Sequence, residues 1–166
     1  MAKKKKLKYI LIFIITLTSG TMFAQATDKD DDHEHHEHHK NEIGVANSPV
    51  YFIKENVFAY GLHIHYTRTL TNSKFGIGVG YERIFDEHKH NTVGLVASYR
   101  PNERISLNVS PGLTFEDGNS KSNFALHLET SYEFEINNFH LGPDFEFAYD
   151  AEDYHISLGL HLGFGF

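Results

Sequence analysis

The sequence predicts an all-β protein, an eight-stranded antiparallel up-and-down transmembrane β-barrel. Three observations on the 166-residue chain support this prediction. The chain ends in a long segment of strictly alternating residues, it contains eight such segments separated by polar turns, and its aromatic residues gather near the predicted strand ends. Alternation with a period of two places every second side chain on one face of a strand, so a barrel can present one face to lipid and the other to its lumen.

The final segment, residues 154–166, shows the alternation most clearly. One face carries the large apolar residues Tyr154, Ile156, Leu158, Leu160, Leu162, Phe164 and Phe166, and the other carries His155, Ser157, Gly159, His161, Gly163 and Gly165. The segment is about twice as long as a usual strand of a soluble protein and covers the roughly 9–11 tilted residues that cross a bilayer. It is therefore predicted to face lipid.

The eight alternating segments are predicted at residues 43–53, 58–70, 74–85, 92–100, 105–116, 123–136, 139–150 and 154–166. The connections between them are short or rich in Asn, Asp, Glu, Lys and Gly. An even number of antiparallel strands closes a barrel without a free edge and places both chain ends on the same side.

The outward aromatic residues fall at the two rims once each strand is given its direction. The rim away from the termini would hold Phe58, Tyr60, Tyr81, Phe115, Phe124, Tyr149 and Tyr154, and the rim at the termini Tyr66, Phe75, Tyr99, Tyr132, Phe134, Phe139, Phe164 and Phe166. Two aromatic girdles around an aliphatic belt are typical of proteins anchored at both membrane interfaces. A soluble antiparallel barrel or sandwich, with these aromatics packed inward, remains the alternative fold.

Residues 1–26 have the pattern of a secretory signal peptide. Five lysines between residues 3 and 8 precede an apolar run from Tyr9 to Leu17, and Ala24-Gln25-Ala26 is a small-x-small cleavage site. The mature chain is expected to begin at Thr27. A retained membrane helix is disfavoured because the apolar run is too short to span a bilayer.

Composition narrows the possible partners. The formal net charge is −7, and removal of the five leader lysines takes it to about −12. A strongly acidic chain lacks the basic surface that binds phosphate backbones, so nucleic acid is not expected as a partner. The chain contains no Cys, which excludes disulfides, thiolate metal sites and a thiol nucleophile.

The region 43–166 resembles the small eight-stranded outer-membrane proteins of Gram-negative bacteria, the OmpA-barrel and OmpX type. The resemblance implies an outer-membrane location, lipid contact, and both the C-terminus and the N-terminal arm in the periplasm. The final strand resembles the signal by which the barrel-assembly machinery recognises its substrates through a terminal aromatic, here Phe166. The resemblance implies fold and location, but it does not define a function.

The inward face of the predicted barrel is rich in ionisable residues. If Asn137-Asn138 is a two-residue turn, Glu135 lies opposite His140 and Glu129 opposite Glu146; if the next loop is Asp150–Asp153, Ala148 lies opposite His155. The register then brings four candidate ligands together: His127, Glu129, Glu146 and His155. Two histidines and two carboxylates can hold zinc, copper or nickel. The alternative is a buried hydrogen-bonded network that holds the barrel shut.

The arm, residues 27–42, is acidic and rich in histidine, with His33, His35, His36, His38 and His39 in one short stretch. It has too few apolar residues to fold alone, so it is predicted to be a disordered periplasmic arm. Imidazoles and carboxylates in this density predict modest, pH-dependent binding of zinc, copper or nickel. A solvated acidic linker is the alternative. His88 and His90, in an acidic loop, are a weaker candidate pair.

The leading functional hypothesis is a non-enzymatic outer-membrane barrel that takes part in transition-metal binding or homeostasis. No serine stands in a recognisable nucleophile motif, and no organic cofactor is expected. Two alternatives remain: a structural envelope barrel without a metal role, and a narrow channel or transporter through a lumen lined by His and Glu.

Overall fold

The computed structural model describes residues 39–118, 121–151 and 153–166. The predicted signal peptide, residues 1–26, and His33, His35, His36 and His38 of the arm lie outside the described residues. The described chain forms β1 (Asn41–Phe52), β2 (Val57–Thr69), β3 (Phe75–Ile84), β4 (Asn91–Asn102), β5 (Ile105–Phe115), β6 (Ser122–Tyr132), β7 (Phe134–Ile136), β8 (Phe139–Asp150) and β9 (Tyr154–Gly165). Among the described residues there is no helix with the length and apolar character needed to cross a membrane.

The strands form one closed antiparallel sheet, in which β1 pairs with both β2 and β9. β6 and β7 are two parts of one wall strand, because both pair with β8 in the same register: Ser131 lies opposite Asp144, and Phe134 lies opposite Leu141. The wall therefore has eight strands. The predicted fold class is confirmed.

The sixth wall strand is interrupted at Glu133, whereas the sequence predicted a continuous strand. The shared register places Pro143 opposite Tyr132, and proline has no N–H to donate to the ladder. The N–H of Glu133 instead donates to the carbonyl oxygen of Arg104, 2.7 Å away. The interruption is local, because the register is the same on both sides of it.

The wall strands are staggered around the barrel. The stagger can be followed from Glu42 of β1 by moving from each residue to its partner on the next strand. One circuit of the wall returns to β1 at Phe52, ten residues further along the strand. Such a stagger closes a sheet of tilted strands into a barrel. With eight strands the interior is only wide enough to be filled by side chains.

The outward face of the wall is apolar. Phe58, Leu95 and Leu158 are 77%, 66% and 65% exposed, although their side chains are large and hydrophobic. The aromatics predicted for the rim at the termini are exposed as well, among them Phe75 and Phe139. This contradicts the soluble alternative, in which these side chains would be buried.

The two ends of the barrel differ in chemistry. At one end, which we call the terminal end, Asn41 and Phe166 exchange backbone hydrogen bonds of 3.0 and 2.9 Å. At the opposite end Val50, Phe52 and Ile84 are buried together and form what we call the apolar plug. Between the plug and the terminal end the lumen is lined by polar and ionisable side chains.

Inward glycines make room for histidine rings in this narrow lumen. At four glycines an added side-chain carbon would collide with an imidazole: Gly44 with His65 and His161, Gly80 with His63, Gly163 with His140, and Gly165 with His39. Protein interiors are close-packed, so each ring takes the volume that a second side chain would need. The alternation of glycine and histidine on the inward faces is therefore a packing requirement.

Substitution of Gly44 by valine tests this packing. The added branches would have to displace the rings of His65 and His161, so Gly44→Val is expected to lower the free energy of unfolding by about 1–3 kcal/mol or more. The measurement is a urea titration of the refolded barrel. Ala97→Val, which adds bulk on the outward face of β4, is the control and should leave stability nearly unchanged. Equal stability of the two variants would contradict the packing argument.

Candidate metal centre in the barrel lumen

Ionisable side chains fill the lumen between the apolar plug and the terminal end. Among the described residues, six inward carboxylates line it together with six histidines and one arginine: Glu42, Glu82, Glu129, Glu133, Asp144, Glu146, His63, His65, His127, His140, His155, His161 and Arg100. Buried carboxylates are costly unless cations or hydrogen-bond donors face them. Since Arg100 is the one permanent cation among these residues, the histidines must supply most of the partners.

Four of these groups form a compact set that we call the quartet: Glu82 of β3, His127 of β6, Glu146 of β8 and His155 of β9. Each offers one ligand atom, and the four atoms lie within 4.8 Å of one another. His127 Nδ1 is 3.3 Å from Glu146 Oε2 and 3.6 Å from Glu82 Oε2. His155 Nε2 is 3.6 Å from Glu146 Oε1. All four residues are buried.

Strand register brings three members of the quartet together. His127 lies opposite Ala148, and Ala148 lies opposite His155, as the sequence predicted from its two assumed turns. Because the methyl group of Ala148 is small, the two imidazoles face each other across it with their ring centroids 5.7 Å apart. Glu146 lies on the same face of β8, two residues from Ala148. The side chains of His127, Glu146 and His155 therefore lie close together, and their role as metal ligands stays a prediction.

Glu82 is the quartet member that sequence analysis did not assign to the site. It lies on β3, which pairs with neither β6 nor β8, so its carboxylate reaches His127 from another part of the wall. The signal in the sequence was its inward position on the third alternating segment. Pairwise register carries no information about contacts across the lumen.

Several polar atoms of the quartet are buried without a hydrogen-bond partner. These are Glu82 Oε2, Glu146 Oε1 and both ring nitrogens of His155. Buried polar groups are almost always satisfied, and an unmade bond costs about 1–3 kcal/mol. In the quartet these atoms have only ion-pair contacts of 3.6 Å with each other or with His127.

Glu129 does not join the quartet, which corrects the predicted ligand set. Its Cα lies opposite that of Glu146 as predicted, but its carboxylate lies 3.1 Å from His63 Nδ1 and accepts a 3.3 Å hydrogen bond from Asn108 Nδ2. Glu129, His63 and His65 form a second compact set, which we call the middle cluster. The prediction failed because it considered only neighbouring strands and omitted the inward histidines of β2.

A third set, Glu42, His140 and His161, lies nearest to the terminal end, and we call it the terminal cluster. Glu42 Oε1 is 3.4 Å from both His65 Nε2 and His140 Nε2, while its other oxygen binds Arg100. Arg100 also binds Glu133 at 3.2 Å. The sequence analysis assigned Glu42 to the arm, but β1 begins at Asn41 and brings this carboxylate into the wall.

The remaining candidate histidines lie outside these clusters. His39 is exposed, and its ring lies against Gly165 at the terminal end. His88 is exposed, as expected of a loop residue. His90 is not an exposed loop residue, because it is 8% exposed and its Nδ1 lies 2.7 Å from Asp86 Oδ2. Glu135 lies opposite His140 as predicted, but its side chain is exposed.

Comparisons with known proteins identify the fold alone. No protein-family model matches the sequence, and no curated protein matches it. Neisserial surface protein A superposes with a TM-score of 0.57 at 13% identity, over 76% of this chain and 96% of that one. The outer membrane protein Ail of Yersinia pestis, in a phospholipid bilayer nanodisc, superposes with a TM-score of 0.53 at 14% identity, over 76% and 99%.

A designed transmembrane β-barrel also superposes on this chain, with a TM-score of 0.54 at 15% identity, over 74% of this chain and 94% of the design. The chain therefore has the fold of the small transmembrane β-barrels, in agreement with the resemblance found in its sequence. The charged lumen and its His and Glu clusters are features of this chain's own residues.

Loss of Arg100 tests the electrostatic balance of the lumen. In Arg100→Met, Glu42 and Glu133 would lose their shared cation, so the free energy of unfolding is expected to fall by about 3 kcal/mol or more. Urea titration of the refolded barrel measures the effect. A second substitution, Glu42→Gln, should recover part of the loss because it removes one of the uncompensated charges.

Lys89→Met is the matched control for Arg100→Met. Lys89 and Asp117 form a 3.2 Å ion pair whose side chains are both more than half exposed. Exposed pairs contribute about 0–1 kcal/mol, so this variant should unfold close to the parent protein. If Arg100→Met were no more destabilising than Lys89→Met, the lumen charges would not depend on Arg100.

Proposed function

We propose that this protein is an outer-membrane barrel that binds a divalent transition-metal ion in its lumen. Zinc, copper and nickel are the candidate ions. The observation that carries the proposal is the quartet, in which two imidazoles and two carboxylates are buried. One ligand atom from each of the four residues lies within 4.8 Å of the other three. A bound cation would contact Glu82 Oε2, Glu146 Oε1 and one ring nitrogen of His155, atoms that have no hydrogen-bond partner.

The spacing of the quartet suits a tetrahedral ion. Bonds of about 2.0–2.2 Å to nitrogen and oxygen require ligand atoms that are roughly 3.4 Å apart. Three contacts within the quartet, made through both oxygens of Glu146, are 3.3, 3.6 and 3.6 Å, and the four ligand atoms lie within 4.8 Å of one another. An ion could therefore bind with small side-chain movements. The donor set excludes a soft, thiolate-dependent site and suits borderline ions.

The proposed location rests on the outward face of the barrel. A belt of exposed Leu, Val and Ile side chains bounded by aromatic residues matches a bilayer with its two interfaces. We place both termini and the arm on the periplasmic side. Lipid and, through the terminal Phe166, the barrel-assembly machinery are the proposed partners of this surface.

The arm is proposed as a capture segment for the same ions. Its histidines His33, His35, His36, His38 and His39 are spaced within seven residues and are interleaved with acids. A flexible segment of this kind binds metal weakly and exchanges it fast. The arm would raise the local concentration of metal near the terminal end of the barrel, where His39 lies.

A binding role is favoured over a catalytic one. The inward serines Ser106 and Ser131 donate to Asn108 and Glu133 respectively, and not to a histidine base. Nucleophilic catalysis by serine requires a base within hydrogen-bond reach. A through-going channel is also less well supported, because the apolar plug fills one end of the lumen.

Metal titration of the full-length refolded protein tests the proposal. Co²⁺ is the spectroscopic probe and Zn²⁺ the competitor, because tetrahedral Co²⁺ has intense visible absorption. The parent protein should show one buried tetrahedral site, and His127→Gln with His155→Gln should abolish that spectrum. Affinity should fall as the pH is lowered, since protons compete with the metal for imidazole.

Two further variants separate the sources of binding. His88→Gln changes an exposed loop histidine and should leave the spectrum unchanged. Replacement of the five arm histidines by serine should remove only weak, fast-exchanging metal. A folded parent protein that shows no tetrahedral Co²⁺ spectrum at neutral pH would refute the lumen site, and the quartet would then be a purely structural charged network.

A further inference from the structure

The apolar plug lies at one end of the lumen, in contact with the quartet. Phe52 lies between the two polar regions of this end, with its ring centroid 5.3 Å from that of His155 and 5.6 Å from that of His90. Val50 and Ile84 complete the plug, and all three side chains are at most 2% exposed. A divalent ion that crossed this layer would lose its hydration without gaining ligands, which is strongly unfavourable.

The opposite side of the quartet offers ligands at every step. Between the terminal end and the quartet the imidazole rings follow one another closely: the centroids of His140 and His161 are 5.4 Å apart, those of His161 and His65 5.2 Å, and those of His65 and His63 5.4 Å. Each of the two clusters along this series also contains a carboxylate, Glu42 in the terminal cluster and Glu129 in the middle cluster.

Unpartnered nitrogen atoms occur along this series. His65 Nδ1 and His161 Nε2 are buried with neither a hydrogen bond nor an ion pair, whereas His63 Nδ1 and His140 Nε2 face the carboxylates of Glu129 and Glu42 at 3.1 and 3.4 Å. A neutral imidazole binds a metal through a free nitrogen. The series therefore presents ligand atoms that hydrogen bonds do not occupy.

A small cavity joins the middle cluster to the quartet. It has a volume of about 10 Å³ and is lined by His63 of the middle cluster and by Glu82 and His127 of the quartet. This is close to the smallest volume that accommodates one water molecule, about 10–15 Å³.

The series begins where the arm joins the barrel. The ring of His39 lies against the inward residue Gly165, which is paired with Glu42 of the terminal cluster. The carbonyl oxygen of Lys40 accepts a 2.8 Å hydrogen bond from the Thr69 N–H. Arg100 occupies only one oxygen of Glu42, while the other faces His65 and His140.

We propose that a metal ion reaches the quartet from the terminal end, through the terminal and middle clusters, and that the lumen is a blind passage closed behind the quartet by the apolar plug. The inference rests on the proposed function, since it presupposes that the quartet binds metal. It adds a direction of loading and assigns the six histidines of the lumen two roles: His127 and His155 hold the ion, and the other four transfer it.

Rapid mixing of the full-length refolded protein in detergent micelles with Co²⁺ tests the direction of loading. His161→Leu removes a transfer ligand outside the quartet, so the final tetrahedral spectrum should be unchanged while loading slows by about tenfold or more, an increase of roughly 1.4 kcal/mol in the barrier. Phe52→Ala, which thins the plug, should load at the parent rate. His88→Gln is the control histidine variant.

A second measurement needs no change in the lumen and avoids variants that fail to fold. The chain contains no Cys, so one cysteine can be introduced and modified with a bulky maleimide after folding. Modification of Thr69→Cys, at the terminal end, should slow Co²⁺ loading. Modification of Glu87→Cys, in the loop at the plugged end, should leave the rate unchanged.

The outcomes separate this inference from the proposed function. Absence of the tetrahedral spectrum at equilibrium in the parent protein would refute the quartet as a metal site. A normal spectrum, with loading accelerated in Phe52→Ala or blocked by the label at Glu87→Cys and unaffected by the label at Thr69→Cys, would overturn the direction of loading and leave the quartet intact.

Discussion

The width of an eight-stranded barrel is the constraint on which the rest of this structure depends. Such a lumen admits one layer of side chains, and large groups on one strand must lie over small ones on another. The imidazoles of His63, His65 and His140 fit in the lumen because glycines occupy nearby inward positions on the neighbouring strands. The same narrowness brings groups from non-adjacent strands into contact, and this is how Glu82 reaches His127.

Charge balance is the second consequence of that width. Each carboxylate in the lumen is surrounded by protein, so histidines and Arg100 must compensate for the hydration that the carboxylate loses. At the terminal end Arg100 binds both Glu42 and Glu133. Near the plug the carboxylates of Glu82 and Glu146 face His127 and His155 instead. The metal site is proposed where histidines face these carboxylates.

The sequence was sufficient for the fold and for part of the site. Alternation assigns side chains to faces, and the two short turns set the register of β6, β8 and β9, so the meeting of His127, Glu146 and His155 could be predicted. The contact of Glu82 with His127 could not be predicted in this way, because it is made across the lumen. The same holds for the side chain of Glu129, which turns away from Glu146 toward His63. Glu42 was missed since the composition of the arm continues without a break into β1.

The central claim, that the quartet binds a transition metal, is tested most directly by anomalous diffraction at the zinc absorption edge from crystals of the full-length protein grown with zinc. The account predicts a strong peak about 2.0–2.2 Å from one ligand atom each of Glu82, His127, Glu146 and His155. A map without a peak in the lumen, in which the four side chains keep their paired positions, would contradict it.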